Sequence, residues 1–155
     1  MPDSELFKAS MNKAMSLCSK REYCISDILV KLQSWGTDVD DNTRIIELLK
    51  KENFINEERY AFGFVRDKFN FNKWGKLKIT AHLKSKNISN QLIKKALDTI
   101  DNKSYNKTLN NFLSAHRRTV KAKNQYDLKA KLLRYGLSKG FESSLLYDLL
   151  NEIED

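Results

Sequence analysis

The densest group of chemistry-bearing side chains lies between residues 66 and 78. Arg66, Lys68, Lys73, Lys76 and Lys78 crowd around Trp74 there. Cations at this density beside an indole suit a polyanion. The charged groups meet phosphates or carboxylates, and the ring stacks on a base or presses on a partner surface. Trp74 has a structural alternative, which is to anchor the first two helices of its own segment. A second group, Arg117, Arg118, Lys121 and Lys123, fits either a solvated surface or a further contact. Arg59 and Arg66 are seven residues apart and share a helix face. Arg59 is read as structural, pairing with Glu57, Glu58 or a neighbouring segment.

Other chemistry finds no footing. Cys18 and Cys24 are six apart with no nearby His, whereas zinc takes about four ligands, commonly in close pairs. Cys18 is read as a core residue. His82 and His116 stand far apart in the chain, without a Ser or Cys nucleophile pattern, and read as surface or half-buried side chains. Asp38-x-Asp40-x-Asn42 mimics the start of a calcium loop. It has Thr43 where the loop needs Gly and Leu49 where it needs Glu. Asp40 or Asp41 is expected to cap a helix whose first turn is rich in acids. The five glycines never cluster into a phosphate loop. No catalytic residue, metal or cofactor is expected, and the chain reads as a binding protein rather than an enzyme.

The charge distribution locates the binding surface. Of 155 residues, 28 are Lys or Arg and 20 are Asp or Glu, a net charge of +8. Residues 66–134 hold 18 basic and 4 acidic side chains, net +14, between flanks of net −2 and −4. Such a block favours nucleic acid or a nucleoprotein over a merely solvated surface. With 41% hydrophobic residues the chain can bury a core. Two cysteines make no disulfide framework, so a reducing compartment, the cytoplasm, is expected. Met1-Pro2-Asp3-Ser4-Glu5 does not open a signal peptide, and no apolar run is long enough to span a membrane. One Pro and five Gly argue for helices.

The elements that must position these side chains recur at about fifty residues. Ile28-x3-Leu32-x3-Gly36, Ile79-x3-Leu83-x3-Asn87 and Leu128-x3-Leu132-x3-Gly136 superpose with offsets of 51 and 49. Two aliphatics four apart share a helix face, and the Gly, Asn or Gly fits a helix end with positive φ. Ile46 and Leu49, Leu97 and Ile100, and Leu150 and Ile153 follow on a later helix. Ala14, Ala61 and Leu109 open a matching stripe on an earlier one. The expected fold is all-α, with three tandem three-helix, helix-turn-helix-like repeats in an elongated array over 6–55, 56–102 and 103–155. The middle helices are expected to open at Ser26-Asp27, Lys76-Leu77-Lys78 and Lys129-Ala130-Lys131. Asn102 to Asn106 is the expected linker, and Thr119 to Gln125 a basic loop.

These same residues resemble those of a known family. Ser19-Lys20-Arg21-Glu22-Tyr23, followed by Ser26-Asp27-Ile28-Leu29, resembles the opening signature of the RecX family. Asn53-Phe54-Ile55-Asn56-Glu57-Glu58-Arg59-Tyr60-Ala61 is similar to its next motif. Phe64-Val65-Arg66-Asp67-Lys68, Trp74-Gly75-x2-Lys78-Ile79, Leu83-x2-Lys86-x-Ile88 and Ile93-x2-Ala96-Leu97 resemble its central stretch. The likeness runs from about residue 8 to the C-terminus and is most specific over 14–101. Asn53 and Asn87 stand where the family often has Gly, and both tolerate positive φ.

The resemblance implies an all-helical regulator of the RecA recombinase. Such a protein lies on the recombinase–single-stranded-DNA filament. It inhibits ATP hydrolysis, strand exchange and coprotease activity by blocking growth or favouring disassembly. It modulates recombination, repair and the SOS response, and contacts single-stranded DNA directly or through the filament. A monomer is expected, with several weak contacts on one body adding up to avidity. The alternative is a helix-turn-helix repeat protein acting on duplex DNA as a transcriptional or architectural factor. Against it stands the lack of a repeated recognition helix with Arg, Asn and Gln at matching positions, and the acidic candidate last helices.

Overall fold

Most helices begin where a short polar side chain can close the first turn. A computed structural model describes residues 3–153, with nine helices and no strand among them. They are α1 (Glu5–Lys20), α2 (Ile25–Trp35), α3 (Val39–Lys51), α4 (Glu57–Asn70), α5 (Lys76–Ser85), α6 (Asn90–Leu97), α7 (Asn102–Thr119), α8 (Gln125–Ser138) and α9 (Ser143–Asn151). Ser4, Asp38, Asn56, Ser89, Asp101 and Asn124 each accept a hydrogen bond from the backbone N–H three residues on. Each bond satisfies a donor that the helix itself leaves unpaired. The all-α expectation holds. Met1, Pro2, Glu154 and Asp155 lie outside the described residues, and with them part of the leader reading and the end of the 103–155 segment.

The helices close with equal economy. Gly36, Asn53, Asn87 and Gly140 have φ of 91°, 63°, 60° and 89°. The residue after each donates to the carbonyl five positions back, at 3.3, 2.8, 3.1 and 3.1 Å. This left-handed closure needs Gly, or Asn as the next most tolerant residue. Gly36 and Asn87 therefore do what their spacing predicts. Gly136 does not, because α8 runs on to Ser138 and Gly140 makes the turn. Gly136 is small for another reason: a Cβ there would lie 2.4 Å from Leu146 Cδ2, so its lack of a side chain lets α9 approach.

Three other local expectations are corrected. The cap of α3 is Asp38, which accepts from Asp41 N–H at 2.8 Å, and Asp40 and Asp41 form the acidic first turn. Residues 102–106 are the start of α7 rather than a linker, because Asp101 caps that helix and Tyr105 is buried. The helix expected to open at Lys129 begins a turn earlier, after its Asn124 cap. The loop from Thr119 to Gln125 stands where expected, between α7 and α8.

The chain divides into two compact units. The first takes the chain up to Gly63 together with Leu83–Ile93. Here α1, α2 and α3 pack on one another. Phe7, Ala14, Tyr23, Ile28, Leu32, Ile45, Ile46, Leu49 and Ile55 form their core, with Trp35 and Cys18 packed half-buried against it. Arg59 on α4 binds Glu22 at 2.7 Å and reaches the carbonyls of Asn53 and Phe54. Its carboxylate partner Glu22 lies in the preceding segment, so the structural reading of Arg59 with a neighbouring segment holds. Asp27 accepts from Lys86 at 2.7 Å and from the Cys24 N–H at 3.3 Å. Burial raises the Asp27 carboxyl, but these bonds prevail and hold it below the usual range.

The second unit takes Phe64–His82 and the chain from Lys94 onward. In it α8 packs on both α7 and α9, and Val65, Ile79, Leu109, Leu132, Phe141 and Leu146 are buried. Its tightest contact is backbone on backbone. Gly75 N–H donates to Lys139 O at 2.7 Å, and Leu77 N–H donates to Gly140 O at 2.9 Å. A Cβ on Gly75 would meet Gly140 C and O at 2.4 Å, and one on Gly140 would meet Lys78 Cβ at 2.3 Å. The pair of glycines lets the start of α5 lie on the turn after α8.

Candidate functional site

The α4–α5 corner is built from the middle outward. Phe64 and Lys68 sit one turn apart on α4, and Lys78 and His82 one turn apart on α5. Trp74 lies between the two helices. Phe64 and His82 stack at 4.5 Å with rings 16° apart. Trp74 meets Phe64 edge-on at 6.0 Å and His82 at 6.1 Å. The ammonium groups of Lys68 and Lys78 lie 4.9 and 4.5 Å from the Trp74 ring centre. Trp74 is half-buried and packs between α4 and α5. It closes the corner and presents an aromatic edge between two cations, a cation–π arrangement that keeps both charges beside the ring.

The corner is held from below. The first N–H groups of a helix need acceptors, and α5 takes its acceptors from outside its own sequence. Lys76 N–H donates to the Tyr105 hydroxyl at 2.9 Å, and that hydroxyl donates to Glu142 Oε1. Burial first, and then the bond to Glu142, raise the Tyr105 phenol far above its usual range and keep it protonated as a donor. The Lys76 ammonium lies over the Tyr105 ring at 4.7 Å. Lys76 therefore faces the support, away from Trp74.

The remaining candidates are placed as follows. Arg66 is exposed and pairs with the adjacent Asp67 at 3.2 Å. Lys73 is exposed with φ of 57°, and its ammonium caps the end of α4 through Asn70 O at 2.7 Å. Arg117, Arg118, Lys121 and Lys123 are exposed at the end of α7 and in the loop before α8. Arg117 borders a groove over Leu113, Leu132 and Leu150. Asp127 accepts from Lys123 N–H and from the Lys131 ammonium, while Lys131 also reaches Lys121 O. These bonds pin the basic loop to α8. Of these candidates, Lys68 and Lys78 converge on Trp74, and the others have contacts elsewhere or are exposed.

The corner lies within a stretch that matches a family model. Residues 56–97, which are α4 to α6, match the model of the second three-helix domain of RecX. The chain is 31% identical to the regulatory protein RecX of a type E strain of Clostridium botulinum, over 97% of this chain and 75% of the relative. The chain belongs to the RecX family. It is also 31% identical to the regulatory protein RecX of Clostridium perfringens, over 92% of its own length, and spans 65% of that relative. A crystal structure of a regulatory protein RecX shares the fold, with a TM-score of 0.87 at 22% identity, over 96% of this chain and 74% of that one.

The whole first basic group lies within the matched RecX domain, and the second group lies beyond it. Sequence reading missed the supports of the RecX corner. Glu142 and Tyr105 carry no local motif, whereas His82 is half-buried, as its lack of a nucleophile pattern predicts. The one available signal was Gly75 directly after Trp74, since Gly before a helix can mark a close backbone approach. No group of three or more His, Cys, Asp or Glu among the described residues is arranged to hold a metal. No helix among them is long and apolar enough to cross a membrane.

Proposed function

We propose that this RecX-family chain binds the RecA–single-stranded-DNA filament and inhibits its ATP hydrolysis, strand exchange and coprotease activity. It does so by blocking filament growth or favouring disassembly, and so modulates recombination and repair in the cytoplasm. The observation that carries this reading is the Lys68–Trp74–Lys78 corner inside the family's second three-helix domain. Arg66, Lys73, Lys76 and the Arg117–Lys123 group extend its positive field toward the DNA phosphates and the acidic protein surface of the filament. We assign three repeats, 6–55, 56–102 and 103–155, as successive contact modules of a monomer. Inhibition of this kind needs no bond chemistry. It needs higher affinity for a filament state that turns over or grows slowly.

The test is ATP hydrolysis and strand exchange by the cognate recombinase on single-stranded DNA. Substoichiometric protein slows both, and charge reversal at Lys68 and Lys78 weakens the effect. Unchanged rates with the wild-type protein refute the proposal. Salt-sensitive, sequence-selective duplex binding without any effect on recombinase would point to a duplex-DNA factor instead.

A further inference from the structure

Large apolar side chains left in water are scattered over most surfaces, so position matters more than exposure. Among the described residues the two most exposed large apolar side chains are Tyr126, 85% exposed, and Phe71, 80% exposed. Each stands in one of the two basic groups of the second compact unit. Phe71 opens the turn between α4 and α5, amid Lys68, Asn70, Asn72 and Lys73. Tyr126 is in the first turn of α8, after Lys121, Lys123 and Asn124.

Neither ring is on a loose segment. Phe71 N–H donates to Asp67 O at 2.9 Å and Trp74 N–H to Lys68 O at 3.0 Å, so the turn is tied at both ends. The Asn124 cap and the Asp127–Lys123 bond fix the backbone on both sides of Tyr126. An anchor for a protein pocket draws on an apolar surround that excludes water. Here the residues that flank each ring in the chain are mostly cations and amides, with Asp67 and Asp127 the nearby acids, and Asp127 is taken up by Lys123 N–H and Lys131. Flat apolar rings interleaved with cations match a partner with flat apolar faces and one negative charge per step.

We infer that Phe71 and Tyr126 are stacking platforms for unpaired nucleobases, with the neighbouring lysines and arginines taking the phosphates. This rests on the filament reading and deepens it, because it assigns direct base contact to the second compact unit.

The experiment uses the full chain without recombinase. Affinity is measured by fluorescence anisotropy for a short oligothymidylate, an abasic oligomer of equal length and a duplex of equal length. The wild type binds the oligothymidylate at least about thirtyfold more tightly than the abasic oligomer, as one stacked base on each of the two rings requires. F71A and Y126A each reduce that preference, and the double variant abolishes it while still binding the abasic oligomer. F71W retains it. Tyr147→Ala, which removes a 53% exposed ring outside the basic groups, leaves it unchanged. All three residues are exposed, so folding is retained, and circular dichroism checks this.

Equal affinity for all three ligands, absence of oligothymidylate binding, or a preference that survives the double variant overturns the inference. Loss of recombinase inhibition with intact base preference in F71A also overturns it, and assigns Phe71 to a protein pocket. A base preference in a protein that leaves recombinase rates unchanged would sink the filament reading and spare this one.

Discussion

Replacing Gly75 by Ala adds one methyl group at the point where two backbones touch. The new Cβ would lie 2.4 Å from Gly140 C, Gly140 O and Phe141 N. Those are main-chain atoms, so no rotamer change relieves the overlap and the backbones must part. Two hydrogen bonds span the contact, Gly75 N–H to Lys139 O at 2.7 Å and Leu77 N–H to Gly140 O at 2.9 Å. Losing two such bonds costs about 2 kcal/mol, and stranding the donor of buried Gly75 adds about 1–3 kcal/mol. The expected destabilisation is about 3–5 kcal/mol, or a Tm lowered by about 10 °C for a chain of this size. Gly36→Ala supplies the contrast. Gly36 has φ of 91° but nothing within 4 Å of an added Cβ, so its cost is only the left-handed conformation, about 1–2 kcal/mol. Urea unfolding followed by circular dichroism reads both, with midpoints compared at constant m. If G75A is no less stable than G36A, the close approach of α5 to the turn after α8 is wrong. The attribution of the corner's geometry to that contact is then wrong as well.

Three further outcomes follow from the same geometry. Tyr105→Phe keeps the buried ring but removes the acceptor of Lys76 N–H and the donor to Glu142. It lowers stability by about 1–3 kcal/mol, read by thermal unfolding, whereas an exposed Tyr147→Phe change is neutral. Asp27 has its carboxyl pKa depressed in the folded state, so the stability it supplies is present above the ordinary carboxylate range near 3.8 and is lost as pH falls through the lower folded value. Asp27→Asn therefore destabilises the protein at neutral pH and flattens the acid side of its stability profile in urea titrations from pH 6 to 2. A steeper acid limb in the variant contradicts the sign. Lys68→Gln with Lys78→Gln removes two cations beside Trp74, so the slope of log affinity for single-stranded DNA against log salt falls by about 1.4. An unchanged slope would mean that neither ammonium meets a phosphate.

Much of this molecule can be read along the chain because its governing forces are local. Apolar residues four apart find one face of a helix whatever surrounds them. Ile28 and Leu32, and Ile79 and Leu83, are all fully buried. Positive φ at Gly36, Asn53 and Asn87 follows from steric rules acting within one turn. The charge block between residues 66 and 134 is a property of composition and can be counted along the chain. Local forces also set where the reading became ambiguous. Asp40 or Asp41 is the expected cap of α3, whereas the hydrogen bond from Asp41 N–H selects Asp38, an equally suitable side chain two residues before Asp40.

Tertiary structure decided what depends on approach between distant segments. Gly136 and Gly140 are four residues apart and chemically identical. One is small because Leu146 presses on it, and the other makes the turn and lies against Lys78. Arg59 had two acids beside it, yet it bonds to Glu22, 37 residues away, where the fold brings a carboxylate within 2.7 Å. Tyr105 sits in a polar run suited to a linker, but a buried ring and a hydroxyl bonded on both sides make it a support for α5. The five cations around Trp74 are visible as a group in the sequence. Which two of them lean on the indole depends on how α4 and α5 meet at Trp74, with Lys68 contributed by one helix and Lys78 by the other.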